Sequence, residues 1–204
     1  MSILNVLLRP DQLLVAVDTL AEDARTGAMS SGAKMLLIPQ YNLVLATRGS
    51  TQFFLRIYDL CLQASFRADF SMEQLMKELG LLIDQLWPSY ERAAAAAGLQ
   101  KTMLHTELVL GGWSAKNERF MATAYAKSDI ERRALVQPLV GGLASPGEPL
   151  QGRSDSFESA AVLEAGRAQA EWLNRASGRE VAGGRLIVAT LRRFSATVVD
   201  LGAI

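Results

Sequence analysis

Four short apolar runs within the first fifty residues constrain the fold of this chain most strongly. They cover residues 3–8, 13–17, 35–38 and 43–46. Each has the length of a β-strand, and each is bounded by turn-forming or polar residues. Pro10 separates the first two runs, because proline cannot donate to a central ladder, and residues 39–42 separate the other two. The sequence therefore predicts two β-hairpins, with Ser2 at the tip of a central strand and no signal peptide before it.

Ser2 is a candidate nucleophile because it follows Met1 directly. A small second residue favours removal of Met1, which would give Ser2 a free α-amine beside its hydroxyl. Such an amine is nearly neutral at physiological pH and can take the hydroxyl proton. Serine is also common at position 2 for reasons of translation and processing alone, so Ser2 by itself leaves both interpretations open.

Two charged residues follow Ser2 at equal intervals. Asp18 ends the second apolar run, sixteen residues after Ser2. Lys34 opens the third run, sixteen residues after Asp18. This spacing resembles the proteasome-like branch of the N-terminal nucleophile (Ntn) hydrolases, which includes bacterial ring peptidases. There an N-terminal Thr is followed at these intervals by an Asp and a Lys. The resemblance implies that Ser2 is the nucleophile, Asp18 an orienting carboxylate and Lys34 a cation that tunes the amine and the nucleophile.

The resemblance also implies an oxyanion donor and a loop beside the nucleophile. In the family, the fourth strand runs into a Gly whose backbone N–H helps to bind the oxyanion. Gly49 is the candidate here, with Arg48 close to the expected position of that glycine. A long irregular loop is predicted for residues 137–154, which are rich in Pro and Gly. By the resemblance, Gly141, Gly142 and Ser145 could lie beside the nucleophile.

Helical periodicity begins at Ser50, a predicted N-cap. Ser71 is the predicted N-cap of a second helix, which Pro88 should kink or restart. Asp155 is the predicted cap of a third helix, with Trp172 on its buried face. The sequence also predicts a hairpin over residues 103–126 and closing strands at 186–191 and 196–201. For residues 19–33 it predicts a loop or an irregular hairpin.

This order of elements predicts an α+β fold. Two packed antiparallel sheets between helical layers satisfy it, which is the four-layer αββα sandwich of the resembled family. The chain has 204 residues, half of them apolar, and can bury a full core. We therefore expect one Ntn hydrolase-like domain over residues 1–204.

Composition narrows the expected partners. Basic and acidic residues balance at 21 each, which argues against a nucleic acid or membrane partner. A single cysteine, Cys61, excludes an internal disulfide and favours the cytoplasm. Its place on an apolar helical face indicates core packing. His105 is the only histidine, and no metal-ligand cluster surrounds it in the sequence, so we expect a structural role for it. Gly111 and Gly112 are too few glycines for a phosphate loop, and we expect neither metal nor cofactor.

Three functions remain open on the sequence. The first is a threonine-peptidase-like hydrolase with an N-terminal serine, which cleaves amide or peptide bonds either alone or as a self-assembling enzyme. The second is a catalytically inactive Ntn-fold scaffold or assembly subunit, which retention of Met1 would enforce. The third is a small-molecule-binding module. Convergence of Asp18 and Lys34 at one pocket would count against it. A homo-oligomer is expected under the first two, because the helical faces carry more apolar surface than one domain needs.

Overall fold

The computed structural model describes residues 2–204, apart from the side chain of Thr102. The strands are β1 (Leu4–Arg9), β2 (Gln12–Asp18), β3 (Leu20–Glu22), β4 (Met29–Ser31), β5 (Met35–Ile38), β6 (Leu43–Gly49), β7 (Thr106–Ser114), β8 (Arg119–Lys127), β9 (Leu135–Pro138), β10 (Gly142–Ser145), β11 (Arg185–Arg192) and β12 (Ser195–Ala203). The helices are α1 (Thr51–Ser65), α2 (Met72–Ala96) and α3 (Ser159–Ser177). Short 3-10 helices span Pro39–Tyr41, Lys101–Met103 and Glu148–Leu150.

The strands form two five-stranded sheets and one separate hairpin. Sheet 1 has the order β10-β1-β2-β11-β12, sheet 2 has the order β5-β6-β7-β8-β9, and β3 pairs with β4. The strand pairings are antiparallel. The predicted α+β class with antiparallel sheets is therefore confirmed. The first and last segments of the chain meet in sheet 1, where β2 pairs with β11.

One apolar cluster contains residues of both sheets. From sheet 1 it includes Val15 and Leu191, and from sheet 2 it includes Val44 and Val109, all of them fully buried. These side chains alternate with residues that point to the other face of each strand, as the period of two requires. The first four apolar runs of the sequence thus supply residues by which the two sheets pack.

The helices share buried clusters with the sheets. Helices α1 and α2 share a buried cluster with the sheet 2 strands, which includes Phe54, Trp87 and Leu110. Val162 of α3 lies in a smaller cluster with sheet 1 residues such as Val188. The N-caps of the first two helices are as predicted: Ser50 accepts from the Phe53 amide and Ser71 from the Gln74 amide.

Several predicted boundaries are wrong. Residues 137–154 are not one irregular loop, because they contain the end of β9 and all of β10, two short edge strands whose sequences lack a clear apolar alternation. Pro88 does not divide the second helix, which runs continuously through it. The third helix begins at Ser159 after Glu158, without a side-chain cap, so Asp155 is not its N-cap. Trp172 is 36% exposed and is not part of the buried face.

None of the helices within residues 2–204 combines the length and the apolar character that crossing a membrane requires.

Candidate functional site

Asp18 and Lys34 form a buried ion pair. Asp18 is the last residue of β2, and Lys34 directly precedes β5. The Lys34 Nζ atom lies 2.8 Å from Asp18 Oδ1, and their side chains are 3% and 0% exposed. The ammonium also donates to the backbone carbonyl of Leu20.

The Asp18 carboxylate also holds two backbone segments in place. Its Oδ1 accepts from the amide of Ile3 at 3.0 Å, and its Oδ2 accepts from the amide of Gly183 at 3.2 Å. Because Ile3 is the neighbour of Ser2, the carboxylate fixes the start of the chain next to the ammonium. Hydrogen bonds to a charged acceptor are the stronger kind, so the carboxylate binds both segments strongly.

Burial lowers the pKa of Lys34, and the charge and hydrogen bond of Asp18 oppose this shift. The lysine nevertheless keeps a compensating carboxylate within direct contact.

Ser2, Lys34 and Gly49 line one cavity of about 510 Å³. Ser2 is 4% exposed and Lys34 is likewise 4% exposed, so only a small part of each faces the cavity. Asp18 lies behind Lys34 and does not line the cavity. Met1, whose removal the N-terminal mechanism requires, lies outside the described residues.

Strand alternation defines the direction of the Gly49 amide. The Thr47 amide donates to the Lys34 carbonyl at 2.8 Å and so points away from β7. Gly49 lies two residues further along β6, which directs its N–H to the same side. Its φ is +121°, and a side chain at this position would clash with the His105 carbonyl oxygen, so only glycine fits here.

A second polar cluster reaches this cavity through two of its members, Arg48 and His105. Arg48 of β6 pairs with Glu107 of β7, with its Nη1 atom 3.2 Å from the carboxylate. The Ser145 hydroxyl donates to the same carboxylate at 2.8 Å and accepts from Arg48. His105 contacts Glu107 at 3.1 Å and lies on the cavity rim, half exposed. We name Arg48, His105, Glu107 and Ser145 the arginine cluster.

Sequence reasoning missed Glu107. The signal was the register of β6 against β7, which pairs it with Arg48 but cannot be read from either strand alone. Burial raises the pKa of Glu107, but the His105 hydrogen bond, the Arg48 charge and the Ser145 hydrogen bond outweigh it and lower the pKa to about 2. The carboxylate stands between Ser145 and His105, so these three side chains do not have the order of a Ser-His-Glu triad.

The described residues contain no group of three or more His, Cys, Asp or Glu side chains that could hold a metal ion. Cys61 is fully buried in the cluster between helices α1 and α2 and sheet 2, as predicted.

Among the predicted site residues, the structure brings Asp18 and Lys34 into contact and places Ser2, Lys34 and Gly49 along one cavity. Their catalytic roles stay predictions.

Comparison with solved structures identifies the fold. The chain is similar to Anbu (ancestral beta-subunit) from Yersinia bercovieri, with a TM-score of 0.68 and 16% sequence identity over 99% of this chain and 87% of that chain. It is also similar to a Gly-1 mutant of Anbu from Hyphomicrobium sp. strain MC1, with a TM-score of 0.66 and 13% identity over the same shares. No family model and no curated protein matches the sequence. At these identities the likeness shows the fold alone, which is the fold of these Anbu structures.

Proposed function

We propose that this chain, with its proteasome-like fold, is an N-terminal serine hydrolase that cleaves amide bonds in peptides. The observation that carries the proposal is the buried Asp18–Lys34 pair. Asp18 binds the amide of Ile3, the residue after Ser2, and Lys34 lines the same cavity as Ser2. A buried ion pair contributes little net stability, so a non-catalytic scaffold would gain little from one beside its N-terminal serine.

In the proposed reaction, removal of Met1 exposes the α-amine of Ser2. The Ser2 Oγ atom bonds to the substrate carbonyl carbon, and the α-amine takes the hydroxyl proton. This proton passes to the leaving amine as the C–N bond breaks, which leaves an acyl ester on Ser2. Water then attacks the ester, with the α-amine as base, and releases a carboxylic acid and free Ser2.

Lys34 and Gly49 supply the electrostatic part of this proposal. The Lys34 ammonium disfavours a second positive charge nearby and so keeps the α-amine neutral and able to accept a proton. The Gly49 N–H, directed to the side on which Lys34 lies, is the proposed donor to the oxyanion. Asp18 is the proposed orienting group, because its carboxylate contacts both Lys34 and the Ile3 amide.

The finer fold assignment belongs to the same proposal. The clusters that join α1 and α2 to sheet 2, the two sheets to each other, and α3 to sheet 1 support a four-layer αββα sandwich. We propose that residues 1–204 form this sandwich as one domain.

Intact-mass analysis combined with one substitution tests the proposed hydrolase. The purified protein is expected to lack Met1, and a β-lactone probe should add one acyl group to Ser2. Ser2→Ala should abolish labelling and lower the turnover of fluorogenic peptide amides by about 10³-fold or more. Ser30→Ala, at an exposed serine of β4, is the matched control and should change neither.

Either of two results overturns the hydrolase. Retention of Met1 on all molecules blocks the amine that the mechanism requires. Full activity in Ser2→Ala shows that another group carries the reaction.

An assembly role without catalysis is the second candidate, and the strand β12 favours it. This strand is an edge of sheet 1, and its residues Val198 and Val199, on opposite faces, are 51% and 50% exposed. A long edge strand with apolar side chains on both faces is a template for pairing with another chain. We propose that β12 pairs with a second copy of this protein, with or without hydrolysis at Ser2.

Sedimentation velocity tests this association. The wild-type protein should sediment as an oligomer, and Val198→Lys with Val199→Lys should give monomers because charges on an edge strand oppose pairing. Ala115→Lys, at an exposed site between β7 and β8, is the control and should keep the oligomer. A monomeric wild type contradicts the proposal.

A further inference from the structure

The segment between α3 and β11, residues 178–184, passes next to the Asp18–Lys34 pair. We call this segment the connector. It contains no helix or strand, so its path depends on hydrogen bonds that other elements make to its backbone. Its residues Val181 and Ala182 are buried in one apolar cluster with Ile3, the neighbour of Ser2, and Val181 also lines the cavity of Ser2.

Gly183 of the connector contacts the two residues to which the Lys34 ammonium donates. The Gly183 amide donates to Asp18 Oδ2 at 3.2 Å, and the Gly183 carbonyl accepts from the Leu20 amide at 3.1 Å. Lys34 Nζ in turn donates to Asp18 Oδ1 and to the Leu20 carbonyl. A displacement of Gly183 would therefore move both groups that hold the ammonium.

Asn174 of α3 holds the two connector residues before Gly183. Its Oδ1 atom accepts from the Val181 amide at 2.7 Å and from the Ala182 amide at 3.0 Å. Its Nδ2 atom donates to the Ala182 carbonyl at 2.9 Å. Because one side-chain amide makes all three hydrogen bonds, it fixes the orientation of two consecutive peptide groups relative to α3.

We infer that Asn174 is a positioning residue of the candidate site, which fixes the Lys34 ammonium relative to Ser2 by holding the connector. The chain of contacts runs from Asn174 through residues 181–183 to Asp18 and the Leu20 carbonyl, and from these to Lys34. This inference rests on the proposed hydrolase, in which Lys34 must stay close enough to the Ser2 α-amine to keep it neutral. Asn174 does not line the cavity, so it acts through the connector and not on the substrate.

Hydrolysis of a fluorogenic peptide amide by Asn174→Leu tests the inference. The leucine cannot accept from the connector amides, so kcat should fall about tenfold or more, as expected when a group near the reacting atoms is misplaced. The acid limb of the pH profile of kcat/KM should also move to higher pH by about half a unit, because a displaced ammonium lowers the pKa of the α-amine less. Asn174→Asp keeps an oxygen acceptor for both amides and should retain most of the activity.

Val162→Ala is the matched control. Val162 is a buried residue of α3 that packs on sheet 1 in a different cluster from the connector residues. This variant should lower the free energy of unfolding in urea and leave the acid limb of the pH profile in place. All variants are compared at a temperature at which their unfolding curves show folded protein. An equal shift of the limb in Val162→Ala would overturn the inference, since loosening α3 would then suffice.

A second measurement does not depend on hydrolysis. A buried ammonium with two acceptors exchanges its protons slowly, so Lys34 Nζ should give a proton–nitrogen correlation in the NMR spectrum of isotope-labelled wild-type protein. Lys34→Met identifies the signal by removing it. Asn174→Leu should shift the signal or broaden it beyond detection, whereas Val162→Ala should leave it unchanged.

Absence of the Lys34 signal from the wild type would contradict a fixed ammonium and overturn the inference. The same holds if Asn174→Leu leaves the signal unchanged. Hydrolysis at Ser2 with wild-type kcat and pH profile in Asn174→Leu refutes this inference alone. A wild-type protein that neither reacts with the β-lactone nor hydrolyses peptides, while its Lys34 signal responds to Asn174→Leu, refutes the hydrolase alone.

Discussion

The side-chain amides of Asn5 and Gln169, 164 residues apart in the sequence, bond to each other inside the protein. Gln169 on α3 donates to Asn5 Oδ1 at 2.8 Å and to the Pro146 carbonyl at 2.7 Å. Gln169 is fully buried. This network ties α3, β1 and the segment after β10 together behind Ser2, because Asn5 is only three residues from the nucleophile candidate.

Gln169→Leu should therefore destabilise the protein. It leaves the Asn5 amide and the Pro146 carbonyl without partners, at about 1–3 kcal/mol for each group. Urea unfolding measures the loss, and Gln151→Leu, at an exposed site, is the control. Asn5→Leu with Gln169→Leu should lose less than the sum of the single changes. An unchanged free energy of unfolding in Gln169→Leu would show that the network contributes nothing.

The Asp18–Lys34 pair should be strongly coupled in stability. Lys34→Met leaves a fully buried carboxylate without its cation, which should cost about 3–5 kcal/mol. Adding Asp18→Asn removes the stranded charge and should recover part of that loss. Chemical denaturation of the four proteins at neutral pH gives the coupling energy, and simple additivity of the two single effects would contradict a direct charge interaction.

Glu107 should make folding stability depend on pH in the acid range. Its pKa in the folded state is about 2, below the ordinary 4.5, so the carboxylate form favours the folded state. The contribution is complete above about 4.5 and is lost as the pH falls towards 2. Unfolding free energies measured from pH 5 to pH 2 should fall more steeply for the wild type than for Glu107→Gln. Parallel curves would be the contrary result.

Cys61 should be inert in the folded protein. Burial raises the pKa of its thiol to about 12, and the side chain has no exposed surface. Because the thiolate is the reactive form, iodoacetamide should leave native protein unmodified at pH 8 and should modify it fully in urea. Modification of the native protein at the rate of a free thiol would show that the helices over Cys61 open readily.

The candidate site was predictable only in part. Ser2, Asp18 and Lys34 were recognisable because their spacing resembles that of the proteasome-like Ntn hydrolases, a pattern that can be read along the sequence. Asn5 and Gln169 were not recognisable, because a polar residue in a predicted strand or helix is expected to face solvent unless its distant partner is known. The same is true of Glu107, whose importance depends on the β6–β7 register and on Ser145 of the other sheet.

Local sequence was enough to predict β1, β2, β5 and β6, the N-caps at Ser50 and Ser71, and the closing strands β11 and β12, because periodicity and capping act between near neighbours. The tertiary structure alone decided which polar groups meet. Contacts such as Arg48 with Ser145 join segments 97 residues apart. Their existence depends on how two sheets pack over a shared core, and packing is a property of the whole chain rather than of any stretch of it.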